Sequence, residues 1–194
     1  MIIWSTNKIL DDDLLDPIIV DLKNHPMCYS PKAKYYTSYF TPDYQRPEKG
    51  LLFYYKDILD QAFKDLTLYK RLDYDLYQCI YFWMQLYPQN GGTITSHHHY
   101  SYSNVNNIFS WVHFLRPSSK KCFHFINHNG DKVYPENQKP GDFIVFPSWA
   151  LHAVDVNTDE SDRVVISGNV GIEHISESFV KRSEERSKTC IEYS

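Results

Sequence analysis

Glycine is scarce in this chain, 7 of 194 residues, while tyrosine and phenylalanine number 16 and 11. That balance argues against disorder and flexible linkers and for aromatic-rich strands. Positive charge is not in excess: 20 Lys and Arg stand against 24 Asp and Glu, a formal net charge of −4. A phosphate backbone or an anionic lipid surface finds no basic patch to meet, so neither nucleic acid nor membrane is expected as a partner. No apolar run approaches the roughly 20 residues of a membrane span. The first residues, Met1 to Ser5, lack the basic and apolar regions of a signal peptide. Four cysteines (Cys28, Cys79, Cys122, Cys190) are scattered without a C-x-x-C pair. Structural zinc and a secreted disulfide framework are therefore disfavoured, and reduced thiols in a cytoplasmic setting are the expectation. Repeats and low-complexity linkers are absent, and the length suits one domain over residues 1–194.

The first 72 residues read as helical and irregular support. Ile9 to Leu22 has helical apolar spacing interrupted by Pro17, which predicts a helix broken or started at that proline. Residues 26–50, with prolines at 26, 31, 42 and 47, read as an irregular loop. Ile58, Leu59, Ala62, Phe63 and Leu66 share a helical face and predict about three amphipathic turns packed on a sheet. From Leu76 onward the pattern turns to strands: Leu76–Tyr87, Ile108–Leu115, Cys122–Ile126, Phe143–Phe146 and Arg163–Val170. Turn signals separate them, notably Pro88-Gln89-Asn90-Gly91-Gly92 and Lys139-Pro140-Gly141-Asp142. The expected fold is mainly β with supporting helices, a sandwich or jelly roll over about 76–170. A charged tail, 177–194, reads as a terminal helix or a frayed end.

Gly91-Gly92-Thr93-Ile94-Thr95-Ser96-His97-His98-His99 is the most informative stretch. In a strand, residues i and i+2 share a face, so His97 and His99 reach one ion while His98 points away. His152, on the strand-like segment Ala150–Val156, is the best third ligand. Three protein ligands leave positions open for substrate and oxygen, as a catalytic metal site requires. Imidazole distinguishes poorly among iron, zinc, copper and nickel. A triple-histidine run is also found as a solvated loop or an adventitious metal binder. His113 and His124 fall in strand segments and read as core or pocket lining.

Alternation along β-structure places Arg163, Val165, Ser167 and Asn169 on one face and Val164, Ile166, Gly168 and Val170 on the other. A guanidinium entering a β interior needs an anion, and a carboxylate held bidentately meets that need. The bland alternative is a surface arginine paired with Glu160 or Asp162, worth at most about 1 kcal/mol.

Together these residues resemble the iron(II)- and 2-oxoglutarate-dependent oxygenases, from about Phe82 to Val170. The pattern is similar to a bacterial and phage group related to the prolyl hydroxylases. It carries G…H-x-H, then F-P-S-W-x-x-H-x-V, then R-x-x-x-S-x-N. Here these read Gly91, His97-His98-His99, Phe146-Pro147-Ser148-Trp149-Ala150-Leu151-His152-Ala153-Val154 and Arg163…Ser167-Gly168-Asn169. The resemblance implies a double-stranded β-helix with iron held by His97, His99 and His152. It implies that Arg163 binds the distal carboxylate of 2-oxoglutarate, with Ser167 on the same wall. Tyr87-Pro88-Gln89-Asn90-Gly91 looks like the Y-P-x-N-G stretch whose tyrosine points at the co-substrate; an ordinary strand aromatic is the plain alternative for Tyr87. The implied reaction is a dioxygenase hydroxylation that uses molecular oxygen, on a peptidyl or small-molecule substrate. No catalytic side chain beyond the metal centre is implied.

Three departures stand out. His99 occupies the place where most of the superfamily has Asp or Glu. Trp111, His113 and Phe114 stand in the strand where prolyl hydroxylases carry co-substrate tyrosines. The loop Tyr100–Asn107 is slightly long, which leaves His98 with Tyr100 as an alternative register. Trp111, Phe114 and Trp149 are candidates for a dry shell around the centre, or plain packing. Two rival readings remain: a three-histidine cupin enzyme without an oxo-acid co-substrate, and a non-catalytic jelly-roll module. Arg163 and Ser167 separate the first rival, and stoichiometric iron binding separates the second.

Overall fold

The computed structural model describes residues 1–70, 74–100 and 107–175. The register loop at 101–106 and the charged tail lie outside the described residues. Among these residues, β1 (Trp4–Asn7), α1 (Asp12–Asn24), β2 (Tyr29–Ser30), β3 (Tyr35–Thr37) and α2 (Leu52–Lys70) precede the main run of strands. That run comprises β4 (Tyr74–Tyr87), β5 (Ile94–His97), β6 (Asn107–Arg116), β7 (Phe123–Ile126), β8 (Lys132–Val133), β9 (Asp142–Pro147), β10 (His152–Val154) and β11 (Arg163–Ile175). A seven-stranded sheet has the order β1-β9-β6-β11-β4-β3-β2, and a four-stranded sheet the order β5-β10-β7-β8. Every strand pairing within them is antiparallel. The expected mainly β architecture with supporting helices is what the chain forms.

Side-chain parity divides the large sheet into a helix face and an inner face. Phe82, Met84, Leu86, Trp111, Val164 and Ile166 pack toward the helices with Tyr55, Leu59 and Phe63 of α2 and Leu15 and Leu22 of α1. Tyr87, Val112, Phe114 and Val165 face the small sheet, where Phe123, Phe125 and Phe146 meet them. The alternation expected for Arg163 to Val170 is the one observed, and β11 continues to Ile175 beyond the predicted end. Gly168 falls on the helix face, where a Cβ would lie 2.5 Å from the Trp111 indole.

Two early expectations are corrected. Helix α1 runs straight through Pro17 instead of breaking or starting there. An interior proline costs about 3 kcal/mol, but Pro17 and Asp13, the residue whose helical acceptor it deprives of a donor, both lie on the exposed side of the helix. Leu15, Ile19 and Leu22, all buried, each return roughly 1.5–3 kcal/mol, and Asp11 caps the first turn by accepting from the Asp13 N–H at 2.9 Å. The segment 26–50 is likewise ordered, as the β2–β3 hairpin and two 3₁₀ turns, Asp43–Gln45 and Pro47–Leu51. Side chains do the ordering. Arg46 donates to the carbonyls of Thr41, Phe82 and Tyr39. Ser38 donates to the buried Glu48 carboxyl and accepts from the Met84 N–H. Burial raises the Glu48 pKa above its ordinary value. Helix α2 is also longer than three turns, reaching from Leu52 to Lys70.

Candidate metal centre

Strand β10 lies between β5 and β7, and its register sets His152 directly opposite His97. His99 follows two residues beyond the end of β5. Its position comes from a backbone bond instead of the sheet: its N–H donates to the Ser148 carbonyl at 2.8 Å. Ser148 in turn donates its N–H to the Ile108 carbonyl at 2.8 Å. The Phe146-Pro147-Ser148-Trp149 stretch therefore anchors the histidine run to the large sheet. The ring centroids of His97 and His152 are 4.3 Å apart, those of His97 and His99 5.0 Å, and those of His99 and His152 5.2 Å. The ligand atoms of all three lie within 4.8 Å of one another, while His98 is exposed.

The local contacts prepare these rings as ligands. His97 Nδ1 lies 2.9 Å from the Thr95 carbonyl, and His152 Nδ1 lies 2.8 Å from the Ala150 carbonyl. A carbonyl only accepts, so Nδ1 carries the proton in both rings and the Nε2 lone pair is left for an ion. Burial, followed by the neighbouring imidazoles, lowers the His99 pKa from 6.5 to about 3. His152 falls to about 4, chiefly by burial and then by His97, and His97 is lowered by burial. All three are neutral at pH 7, the protonation state that binds metal.

These depressed values carry a linkage consequence. The unfolded chain takes up the protons first, so the stability from neutral histidines is fully present above about pH 6.5. It is lost as pH falls toward the folded values near 4 and 3. The metal-free protein is expected to show a Tm that declines from pH 6.5 to 4, and a bound divalent ion is expected to raise Tm without making that decline shallower, because it keeps the folded rings unprotonated while the unfolded chain still takes up protons. His113, lowered to about 4 mainly by burial, acts in the same direction. Melting curves with and without the ion check this: a Tm at pH 7 that the ion does not raise, or a decline with falling pH that the ion makes shallower, would count against a shared ion.

The cluster opens onto a small pocket between the two sheets, a cavity of about 40 Å³ that is continuous with solvent. Arg163 and Tyr87 form one end of it, opposite each other in the β11–β4 register. Arg163 is only 2 % exposed, its guanidinium carbon sits 4.6 Å from the Tyr87 ring centroid, and its Nη1 has no hydrogen-bond partner. No ion pair among the described residues includes it. Asp162, considered as its partner, pairs with Lys23 at 2.6 Å. The Tyr87 hydroxyl is buried beside it; burial holds its pKa well above the ordinary phenol range, and the adjacent Arg163 guanidinium works against that rise. A buried guanidinium with no counter-ion, set beside a buried phenol, has the chemistry to accept an anion.

Gly92 is the residue that lets Tyr87 sit there. Its φ is +79°, and a Cβ would overlap the Tyr87 ring. Gly92→Ala is expected to cost roughly 2–4 kcal/mol from left-handed strain plus overpacking, read as a lower Tm. A Tm unchanged by this substitution would mean Tyr87 is not wedged as described.

Other expected residues are distributed as follows. Ser167 lines the pocket wall and donates to Gln85 Oε1 at 3.3 Å. Phe114 packs inside, but Trp149 is 62 % exposed and belongs to no dry shell. Trp111 and His113 face the helices, His113 bonding to Tyr55 and the Lys8 carbonyl. His124 is buried beside Asp155 at 3.5 Å, away from the cluster. Cys28 and Cys122 are free and buried. Trp83, Gln85 and Ser110 also line the pocket and were not singled out from sequence. The parity of β4 from Tyr87 was the available signal for Trp83 and Gln85.

Comparisons with known families and with curated proteins find no match. Solved structures do match. A prolyl-4-hydroxylase of Pseudomonas putida aligns with TM-score 0.58 at 13% identity, over 88% of this chain and 92% of that one. The viral collagen prolyl hydroxylase of Paramecium Bursaria Chlorella virus-1, solved with 2-oxoglutarate, gives 0.57 at 14% identity, over 86% and 94%. The fold is that of the 2-oxoglutarate- and iron(II)-dependent oxygenases. A non-heme α-ketoglutarate-dependent carbocyclase, SnoK of nogalamycin biosynthesis, shares this oxygenase fold with TM-score 0.61 at 10% identity, over 86% and 78%. The cluster in this chain is all-histidine, His97, His99 and His152, and among the described residues no Asp or Glu joins it as in the usual oxygenase triad. No helix of the described residues is long and apolar enough to cross a membrane.

Proposed function

We propose that this protein is a 2-oxoglutarate- and Fe(II)-dependent dioxygenase that hydroxylates a peptidyl or small-molecule substrate. His97, His99 and His152 would hold the iron through neutral imidazoles. Arg163 would bind the distal carboxylate of 2-oxoglutarate, with Tyr87 donating its hydroxyl beside it and Ser167 on the same wall. The single observation that carries the reading is the buried, unpaired Arg163 in the same pocket as three convergent histidines. When bound, the iron and co-substrate supply the oxidative chemistry, consuming oxygen and yielding succinate. The chain's own part is to position and to exclude water. Phe123, Phe146 and Val165 wall the pocket, and the Thr95 and Ala150 carbonyls fix the imidazole tautomers.

The all-histidine ligand set also suits a cupin-type enzyme without an oxo acid, but such an enzyme has no use for the arginine socket. Anaerobic titration of the metal-free protein with Fe(II) and then 2-oxoglutarate separates the readings. The oxygenase reading expects a weak visible charge-transfer band that needs both additions. Iron binding without the band transfers the case to the cupin reading, and no iron binding leaves a non-catalytic module.

A further inference from the structure

Three rungs of the β4–β11 ladder build one inner wall of the pocket. Tyr87 stands opposite Arg163, Gln85 opposite Val165, and Trp83 opposite Ser167. Neighbouring rungs on one face are about 7 Å apart. The Trp83 ring lies 5.7 Å from that of His99, so the third rung meets the histidines. Gln85 is the polar side chain set between the arginine end and the histidine end.

One hydrogen bond orients the Gln85 carboxamide. The Ser167 hydroxyl donates to Gln85 Oε1 at 3.3 Å. The two residues are diagonal neighbours on the ladder, a separation that long side chains span. This bond draws the carboxamide away from Arg163 and toward the histidine end. It also spends the single hydroxyl proton of Ser167, which leaves that residue nothing to donate to a bound anion. The Nε2 group of Gln85, with its two N–H donors, remains. Among the described residues Nε2 has no hydrogen-bond partner, and it is not one of the polar atoms sealed from solvent without one. The Gln85 main chain is covered on both sides, by β11 at Val165 and by β3 at Thr37. Its residual 9 % exposure therefore belongs to the side chain, which reaches solvent through the pocket it lines.

Charge favours an anionic oxygen as the acceptor. Among the described residues that line the pocket none is acidic, and with the histidines neutral Arg163 is the one cation. Val165, across from Gln85, offers no polar group. A molecule anchored by one carboxylate at Arg163 thus meets its next donor one rung along, about 7 Å away. A short dicarboxylate has its second acceptor at that interval.

We propose that Gln85 binds the oxo-acid end of the co-substrate through Nε2 while Arg163 holds the distal carboxylate. Ser167 is a positioning residue: it orients Gln85 and does not itself touch the co-substrate. Gln85 thereby selects a dicarboxylate over a monocarboxylate. The inference rests on the oxygenase reading, which makes that dicarboxylate a co-substrate and not only a ligand.

Ligand-detected NMR on the metal-free protein tests it with 2-oxoglutarate and pentanoate, which share a chain length and one carboxylate. The native chain is expected to bind 2-oxoglutarate about tenfold more tightly, the scale of one hydrogen bond to a charged group. Gln85→Leu should erase that preference and leave pentanoate unchanged. Gln85→Glu keeps the acceptor for Ser167 but puts a negative charge where the donor was, so it should weaken 2-oxoglutarate further. Ser167→Ala should weaken 2-oxoglutarate several-fold in the native chain and add little in Gln85→Leu, because the serine acts through Gln85. If Gln85→Leu does not fold, the near-isosteric Gln85→Glu decides. No preference in the native chain, or a preference untouched in the folded Gln85 variants, would overturn the assignment. So would an equal loss of pentanoate in Gln85→Leu, or a serine effect that persists in that background. The iron and 2-oxoglutarate titration is read separately. Its failure would remove the oxygenase reading, while a preference lost in Gln85→Leu would still establish a dicarboxylate site.

Discussion

Arg163→Met is expected to weaken 2-oxoglutarate binding by roughly 100-fold and, in the ligand-free protein, to raise Tm. The first effect follows from two charge-assisted hydrogen bonds to a carboxylate, together about 3 kcal/mol. The second follows from the same guanidinium without its anion. Arg163 is buried with Nη1 unbonded, and exchanging a poorly compensated buried charge for an apolar chain of similar length gains about 1–3 kcal/mol. For a chain of this size each kcal/mol moves Tm by about 2–4 °C. Calorimetry of the co-substrate and a melting curve of the apo-protein read the two effects independently. A cupin enzyme without an oxo acid predicts only the stabilisation. Unchanged values in both measurements would show that Arg163 is satisfied in a way the structure does not reveal.

Removing any of His97, His99 or His152 is expected to abolish tight iron binding, while His98→Ala leaves it intact. Loss of an outer-shell partner already costs roughly 10–100-fold in metal affinity, so loss of a ligand from a set of three should exceed that. His98 is exposed and its neighbours form the cluster without it. Equilibrium dialysis of the four alanine variants settles the register. Retained affinity in His99→Ala together with loss in His98→Ala would replace the assignment made here. His99→Asp is the informative conservative change: it supplies the carboxylate of the usual triad and is expected to retain iron.

Much of this arrangement was legible from particular residues. The H-x-H spacing, the F-P-S-W-x-x-H stretch and the period-2 pattern of Arg163 to Val170 pointed to one pocket before any coordinates. What the pattern misjudged has identifiable causes. Pro17 looked like a helix break because local propensity was weighed without the burial of Leu15, Ile19 and Leu22. The segment 26–50 looked irregular because its order comes from Arg46, Ser38 and Glu48 bonding to β4, partners 36 to 46 residues away. Trp149 looked like part of a dry shell because aromatic type was read as burial, yet the tight turn at 147–150 leaves it facing solvent. Trp83, Gln85 and Ser110 were not assigned as pocket residues because a residue's face in a strand means little until the partner strand and its register are known.

The sequence by itself determined the ligand chemistry and the strand parity, since both are local: residue types at i and i+2 and alternation along one strand. Only the tertiary structure decided that three histidines converge and that Arg163, on the wall of the same pocket, is buried without a counter-ion. Those facts depend on the register between β4, β11 and β6 and on the β5–β10 pairing, contacts between residues far apart in the chain. Their energetics come from the desolvation that burial between the two sheets imposes.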